Sequence, residues 1–348
     1  MKVFVGMSGG VDSSLSAALL VEQGHDVVGV YMKNWTEDLP GMRCPWADDL
    51  ADAKRVAVQL GIPLRVYDFQ TEYKQRVVDY MVDEYKAGQT PNPDIMCNQE
   101  IKFKLFLDTA LSDGADMIAT GHYARVAHSN SQALLMRAVD EAKDQTYFLY
   151  RVTSDALQKA LCPLGDLTKD TVRHMARERG LATAAKKDSQ GICFVGSVGI
   201  KEFLSQYVPP KAGEVIDVQT GSVIGHHDGA IYYTLGQRHG LGLGGGLPYY
   251  VVSKDMEQNI VYVSRNLNDS SMWRRQIHLE QLHWINQAPS DEEMLLARLR
   301  HNGKLAPCTI QASELCLAEA ERSVAVGQSA VLYRDNEVLG GGIVSEVL

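Results

Sequence analysis

Residues 8–14, Ser-Gly-Gly-Val-Asp-Ser-Ser, follow a short apolar run and open a helical pattern. Backbone N–H groups of Gly9, Gly10 and Val11, with the hydroxyls of Ser8, Ser13 and Ser14, would aim donors at one anion. The positive end of the helix would add to them. A P-loop requires G-x-x-x-x-G-K-[ST], and this stretch has no lysine; a dinucleotide loop requires G-x-G-x-x-G, and Gly6, Gly9 and Gly10 are wrongly spaced for it. Asp12 is the odd member. A carboxylate inside an anion nest repels phosphate unless a divalent cation bridges them, so a magnesium ion near Asp12 is expected. Without that chemistry the stretch is an ordinary strand-to-helix turn with serine caps.

Two of the six cysteines have reactive surroundings. Cys97 lies in TPNPDIMCNQEIKF, where Pro91 and Pro93 predict an irregular loop and Cys97 falls just before a helix N-terminus. There the helix dipole would stabilise its thiolate, and Asp94, three residues earlier, could pass a proton. Cys193 lies in AAKKDSQGICFVG, with Lys186 and Lys187 nearby to favour the thiolate and Gly191 and Gly196 marking a loop. The commoner fate of a cysteine is that of a small buried hydrophobe, which is the expectation for Cys162, Cys308 and Cys316. Cys44 carries no signal beyond that.

The elements that must position these groups alternate. Apolar strands are predicted at residues 2–7, 26–32, 63–69 and 115–121, with Val3 and Val5 on one face of the first and Phe4 on the other. Helical patterns lie between them: one ends at Gly24, one carries Leu50, Ala53, Ala57 and Leu60 on one face and stops at Gly61, and one covers 100–114. Strand alternating with helix implies a parallel sheet covered on both faces, with ligands at the carboxyl ends of the strands. Both Ser8–Gly10 and Thr120–His122 fall at such ends. After residue 200 short alternating runs replace helices, including EVIDV, SVIGHH, AIYYTLG, YYVVSKD and NIVYVSR, and these suggest two β-rich units with a boundary near 270. The expected divisions are 1–203, 204–272 and 273–348.

Hydrophobic residues make up 45% of the 348, enough for packed cores. The first residues lack the apolar region of a signal peptide and no stretch approaches the ~20 apolar residues of a membrane span, so a cytoplasmic protein with no membrane partner is expected. No C-x-x-C pair supports a zinc finger, and His226, His227 and His239 lack metal-ligand spacing. A formal charge of −9 argues against a general nucleic-acid coat. Local basic clusters remain at Lys186–Lys187, at Arg173, Arg177 and Arg179, at Arg274–Arg275, and at Arg298 with Arg300, and these could line a basic channel.

SGGVDSS after a first strand resembles the PP-loop of ATP pyrophosphatases, in which the loop holds the departing pyrophosphate and needs no lysine. GMSGGVDSS, MKNW, AGQTPNPDIMCNQEIKF, ATGHYAR, KDQTYFLY, KKDSQGICFVG and YTLGQRHGLGLGGG occur in this order, followed by PCTI, VGQSAVLY and LGGGIV. Together they resemble the tRNA 2-thiouridylases over essentially the whole chain. That resemblance implies an α/β fold, a Rossmann-like parallel sheet domain followed by two small β-rich domains, the last a β-barrel that binds tRNA. It implies ATP-dependent 2-thiolation of the wobble uridine in tRNA for lysine, glutamate and glutamine. Gly6, Met7, Ser8, Gly9, Gly10, Val11, Asp12, Ser13 and Met32 would hold ATP, with Gly121 near the adenine. Cys193 would carry a persulfide and Cys97 would be the second nucleophile, the two able to end as a Cys97–Cys193 disulfide. Asn92, Pro93 and Asp94 would meet the target base, with Asp94 as acid or base. His122, Lys143, Asp144, Gln145, Arg300, His301 and Gln328 would touch tRNA; His301 stands where the family usually has tyrosine.

Partners implied are the anticodon stem-loop of tRNA and a sulfur-relay protein or cysteine desulfurase. The chemistry suits these residues. Adenylation turns the poor C2 oxygen leaving group of uracil into AMP, and sulfur from a Cys193 persulfide, or sulfide released by Cys97, can then attack C2. The base must leave the anticodon stack to be reached. Two other readings predict different behaviour: a PP-loop ligase acting on a small acid needs neither cysteine, and an RNA-binding module that keeps only the nucleotide fold releases no pyrophosphate.

Overall fold

The computed structural model describes residues 1–38, 44–129, 132–187, 200–244, 247–266 and 272–348. Its first sheet is parallel and contains β1 (Lys2–Gly6), β2 (Asp26–Lys33), β3 (Leu64–Asp68) and β4 (Met117–Ala119). After a hairpin of β5 (Arg125–His128) and β6 (Ala133–Met136), β7 (Ala160–Leu161) completes the order β3-β2-β1-β4-β7. β1 is central, Val3 opposite Val27 and Met117, and helices cover both faces of the sheet, so its alternating side chains are buried on both sides. Val3 and Val5 join Leu15, Ala18, Val56, Val172 and Ala176 in one core; Phe4 joins Val30, Val77, Phe106 and Ile118 in the other. The alternation expected from sequence thus separates α1 (Val11–Glu22), α2 (Trp46–Leu60) and the helix Lys169–Glu178 from the helices 70–86 and 93–112.

One local expectation is overturned. Cys97 does not precede a helix; it lies one turn inside a helix that runs without a break from Pro93 to Ser112. Pro93 starts that helix instead of preventing it, because the missing N–H of proline has no intrahelical acceptor at the first position. Between Cys97 and Phe106 the backbone bonds in the wider i→i+5 pattern, which buries Cys97, Asn98, Ile101, Phe103 and Phe106.

The second sheet, β10-β11-β8-β9, contains β8 (Gly213–Asp217), β9 (Val223–His227), β10 (Tyr250–Asp255) and β11 (Ile260–Ser264). AIYYTLG is not a strand there: Ala230–Tyr232 forms a 3₁₀ turn, with the Tyr232 hydroxyl donating to the Val208 carbonyl at 2.8 Å.

The third sheet contains β12 (Trp273–Trp284), β13 (Leu295–Arg298), β14 (Ala306–Gln311), β15 (Glu314–Arg322), β16 (Ser329–Arg334) and β17 (Glu337–Val347). Pairing of β12 with both β15 and β17 closes these six into a barrel around Leu279, Leu295, Cys308, Leu315, Leu332 and Val344. Closure removes the exposed edges that a six-stranded sheet would otherwise present. Cys308 is in that core as expected, whereas Cys316 faces outward on alternating β15 and is exposed, contrary to expectation. β6 adds to β17 through Leu135 and Val338, so the hairpin 125–136 of the first segment is part of the barrel sheet.

Candidate active site

The loop after β1 is shaped by contacts that leave no room for side chains. Gly9 has φ +77°, and a Cβ there would lie 2.3 Å from the Asp49 carbonyl oxygen. Gly10 is the N-cap of α1 and offers no side chain to the first-turn N–H groups, which helix geometry leaves without intrahelical partners. Those donors and the positive helix end form an anion nest. Gly121 closes it from the turn after β4, since a Cβ there would stand 2.8 Å from the Ser13 nitrogen. The Met32 methyl closes it from β2, at 3.1 Å from a Cβ placed on Gly6.

The expected nucleotide residues Gly6 to Ser13, Met32 and Gly121 are therefore one assembly, with divided labour. Ser8 is exposed and Gly10 and Asp12 are half-buried at the rim, while Met7 is packed in the core. The hydroxyls of Ser13 and Ser14 do not point at a ligand: both donate to the Gly10 carbonyl, at 3.2 and 2.7 Å. Ser13 Oγ also receives the Ser8 N–H at 3.1 Å, and so fixes the turn.

Asp12 is occupied in a way the sequence did not suggest. Lys169 Nζ donates to both carboxylate oxygens at 2.8 Å, and the Tyr123 hydroxyl donates to Oδ1 at 2.8 Å. The cation facing Asp12 is supplied by the chain itself. A magnesium ion coordinated by Asp12 does not fit this donor set, because both oxygens already accept charged or polar hydrogens. No sequence motif singles out Lys169; it opens a helix whose cap is Thr168, an unremarkable pattern.

The 93–112 helix leads from the nest to Cys97. Past its midpoint Phe106 lies 3.6 Å from a Cβ placed on Gly6, and the Phe103 ring is 5.9 Å from that of His122, beside Gly121. Cys97 is six residues before Phe103, no more than about 9 Å along the axis at an α-helical rise. Asp94 and Cys97, three apart, share one side of the helix, and Asn92 is its N-cap. Asn92, Pro93, Asp94 and Cys97 are thus on one helical end. Cys193, and with it the Cys97–Cys193 pairing, lies outside the described residues.

The residues expected to touch tRNA divide sharply. Arg300 is exposed on the barrel, with Nη1 donating to the Arg322 carbonyl and Nη2 to Glu321. Lys143 and Gln145 are half-buried, and Gln145 Oε1 accepts the Tyr123 N–H at 3.0 Å. Asp144 is placed differently: it is 0% exposed, accepting Arg298 Nη1 at 2.8 Å, Thr146 Oγ1 at 2.9 Å and the Ala138 N–H at 3.2 Å. A carboxylate enclosed in this way joins the first segment to the barrel and presents nothing to RNA. Next to it the Tyr147 and Tyr150 hydroxyls both bond Ser329, and His301 packs on Phe148 with ring centroids 4.4 Å apart.

His122 is also buried. Its Nδ1 is bonded to Thr120 Oγ1 at 2.8 Å and its Nε2 to Lys102 Nζ at 3.4 Å. Burial, and then the Lys102 charge, hold its pKa well below the usual histidine range, so it is neutral and accepts from the ammonium. A surface contact to tRNA is not what this placement offers. Gln328 donates through Nε2 to the Thr90 carbonyl at 2.7 Å, while the Thr90 N–H donates to Val326 at 3.1 Å; this short ladder pins the loop leading to Asn92 onto the barrel.

Several basic clusters are likewise committed internally. Lys186 bonds Asp49 and Asp52 at 2.7 and 2.6 Å, Arg179 bonds Glu22, and Arg298 bonds Asp144. Burial opposes the Lys186 charge, but the two carboxylates outweigh it and keep its pKa above the usual lysine value. Lys186 is therefore not an open cation for an RNA channel.

Residues 1–197 match a family described as a tRNA methyl transferase HUP domain, 201–265 a tRNA methyl transferase PRC-barrel domain, and 274–344 an aminomethyltransferase beta-barrel domain. The chain is 46% identical over 354 residues to the tRNA-specific 2-thiouridylase MnmA of Bacillus subtilis (strain 168), spanning 99% of this chain and 95% of that relative. It is 47% identical to the protein of the same description from Bacillus velezensis, again over 99% and 95%. The domain descriptions speak of methyl transfer and the relatives of thiolation; the relatives cover all three segments at once, so their description carries more weight. A solved 4-thiouridine synthetase–RNA complex with bound ATP is similar at 16% identity and TM-score 0.36, over 60% of this chain and 50% of that one, too weak a likeness to carry an argument. Among the described residues no helix is long and apolar enough to cross a membrane.

Proposed function

This chain belongs to the tRNA-specific 2-thiouridylase family, and from that premise we propose that it is an ATP-dependent sulfurtransferase acting on C2 of the wobble uridine in tRNA for lysine, glutamate and glutamine in the cytoplasm. The observation that carries the reading is the unbroken helix 93–112, which puts Asp94 and Cys97 at one end of a rod whose middle, at Phe106, packs on Gly6 at the start of the nucleotide loop. A ligase for small acids has no use for a thiol tied so rigidly to the nest.

The loop fits ATP. Its open helix N-terminus and the glycines that admit close backbone approach suit the pyrophosphate end, and Met32 and Gly121 border the same space. ATP bound there supplies the adenylyl group that makes the C2 oxygen of uracil a leaving group, and that oxygen departs in AMP. No step runs through magnesium on Asp12.

Asn92, Pro93 and Asp94 receive the base after it leaves the anticodon stack. Asp94 handles the proton lost as C2 is substituted. A persulfide on Cys193, filled by a sulfur-relay protein or a cysteine desulfurase, attacks C2 through its outer sulfur. The Cys97 thiolate then attacks the Cys193 sulfur, leaving 2-thiouridine and a Cys97–Cys193 disulfide, which an external dithiol reduces before the next turnover.

Mass spectrometry of nucleosides tests this. Anticodon-bearing tRNA is incubated with the full chain, ATP, magnesium and a persulfide donor. Wild type is expected to form 2-thiouridine only with ATP, and Cys97→Ser to form none. Equal product from Cys97→Ser, or product without ATP, would refute the assignment.

A further inference from the structure

We propose that Lys169 is the charge-compensating cation of the nucleotide site, taking the part that a lysine in the loop itself holds in a P-loop. The proposal deepens the thiolation reading and rests on its claim that ATP binds at residues 6–13.

Lysine is a poor choice for this position on local grounds. It is the first residue of a helix, where the positive end of the dipole disfavours an ammonium, and it is only 9% exposed. A lysine with no task would extend into solvent. Instead its charge is drawn toward the N-terminus of the neighbouring helix α1. Both oxygens of Asp12 accept from Nζ at 2.8 Å, and the Tyr123 ring lies 5.6 Å from it. The Tyr123 hydroxyl holds Asp12, and the Lys169 N–H is fixed by Asp140 at 2.8 Å. The stem of the lysine is buried, while the Asp12 side chain is 31% exposed at the rim of the nest. The pair therefore stands at the opening, with the cation carried in from behind.

The electrostatic consequence follows from Asp12 being the second residue of α1. Alone, its carboxylate would cancel the attraction of the helix end for phosphate. With Lys169 in place the pair is neutral, and the dipole and backbone N–H groups act on the ligand unopposed. The nest is able to take a polyanion because Lys169 is there.

Isothermal titration of ATP and of inorganic pyrophosphate into the full chain tests the assignment. Lys169→Met strands the Asp12 charge, and affinity for both ligands should fall by roughly tenfold or more. Lys169→Arg should recover most of it. Asp12→Asn keeps an acceptor for the ammonium and removes the anion, so its affinity should match or exceed that of wild type. If the pair were only a strut between two helices, Asp12→Asn and Lys169→Met would weaken binding alike, and that result overturns the proposal. So does an unchanged affinity in Lys169→Met. Wild type that binds neither ligand would instead overturn the nucleotide reading beneath it, a separate outcome.

Discussion

Replacing Arg298 with methionine should destabilise the docked barrel far more than it weakens RNA binding. Asp144 is fully enclosed, and the Arg298 side chain that faces it at 2.8 Å is 6% exposed. Methionine fills much of the volume but leaves a buried carboxylate without its nearest cation. Removing one partner of a buried pair costs about 3–5 kcal/mol. Here Arg137 remains at 3.9 Å and the Thr146 and Ala138 bonds persist, which places the loss near the lower end, about 3 kcal/mol. Asp144→Asn combined with Arg298→Met strands no charge, so the double variant should lose less than the sum of the single losses. Urea titration of the full chain, followed by tryptophan fluorescence to which Trp273 and Trp284 on β12 contribute, reads the difference from midpoint and slope. A loss below about 1 kcal/mol in Arg298→Met, accompanied by weaker tRNA binding, would show that this pair serves RNA and not the seam.

Other outcomes follow from single sites. Gly327 has φ +89°, and a Cβ there would lie 2.6 Å from the Thr90 nitrogen; Gly327→Ala should push the 88–91 loop off the barrel, lowering the thiolation rate and the melting temperature together in parallel assays. The depressed pKa of His122 means that the unfolded chain takes up its proton first, so the stabilisation it gives is present above about 6.5 and is lost as pH falls below it. His122→Gln should flatten the acid side of the melting-temperature profile, and an unchanged profile would exclude this origin. Lys254 Nζ is buried without a hydrogen-bond partner among the described residues, and burial lowers its pKa to about 8. Lys254→Met should therefore stabilise the fold at pH 7 by about 3 kcal/mol, read as a higher melting temperature, with the gain shrinking as pH rises from 8 toward the ordinary lysine value.

Local signals carried the α/β part of the fold. Alternation in residues 2–7 assigned Val3 and Val5 to one face and Phe4 to the other, and helices packed on both faces turn these into two separate cores. Gly61 marked the end of α2, where φ is +66°. Pro91 and Pro93 misled, since proline prohibits helix interiors but favours first positions, and only the following residues distinguish the two. The addition of β6 to β17 could not be read locally; the partners are more than 200 residues apart and nothing in either run names the other.

The site was legible in its motifs and less so in its electrostatics. The glycines of the loop signalled backbone donors, whereas the close approach of the Asp49 backbone to Gly9 and of the Ser13 backbone to Gly121 was not legible. KDQTYFLY stood out as a motif, but a motif does not state which way a carboxylate faces, and Asp144 faces Arg298 across 154 positions. Lys169 escaped notice for the same reason: its meaning comes from Asp12, 157 residues earlier.

The oxygen at C2 of the target uracil offers the most direct measurement. A tRNA anticodon stem-loop carrying ¹⁸O at that position is converted by the full chain with unlabelled ATP and a persulfide donor, and the AMP is examined by mass spectrometry. Activation of C2 through nucleotide held by residues 6–13 predicts one labelled oxygen in AMP for each 2-thiouridine formed. Thiolated product accompanied by unlabelled AMP would contradict it.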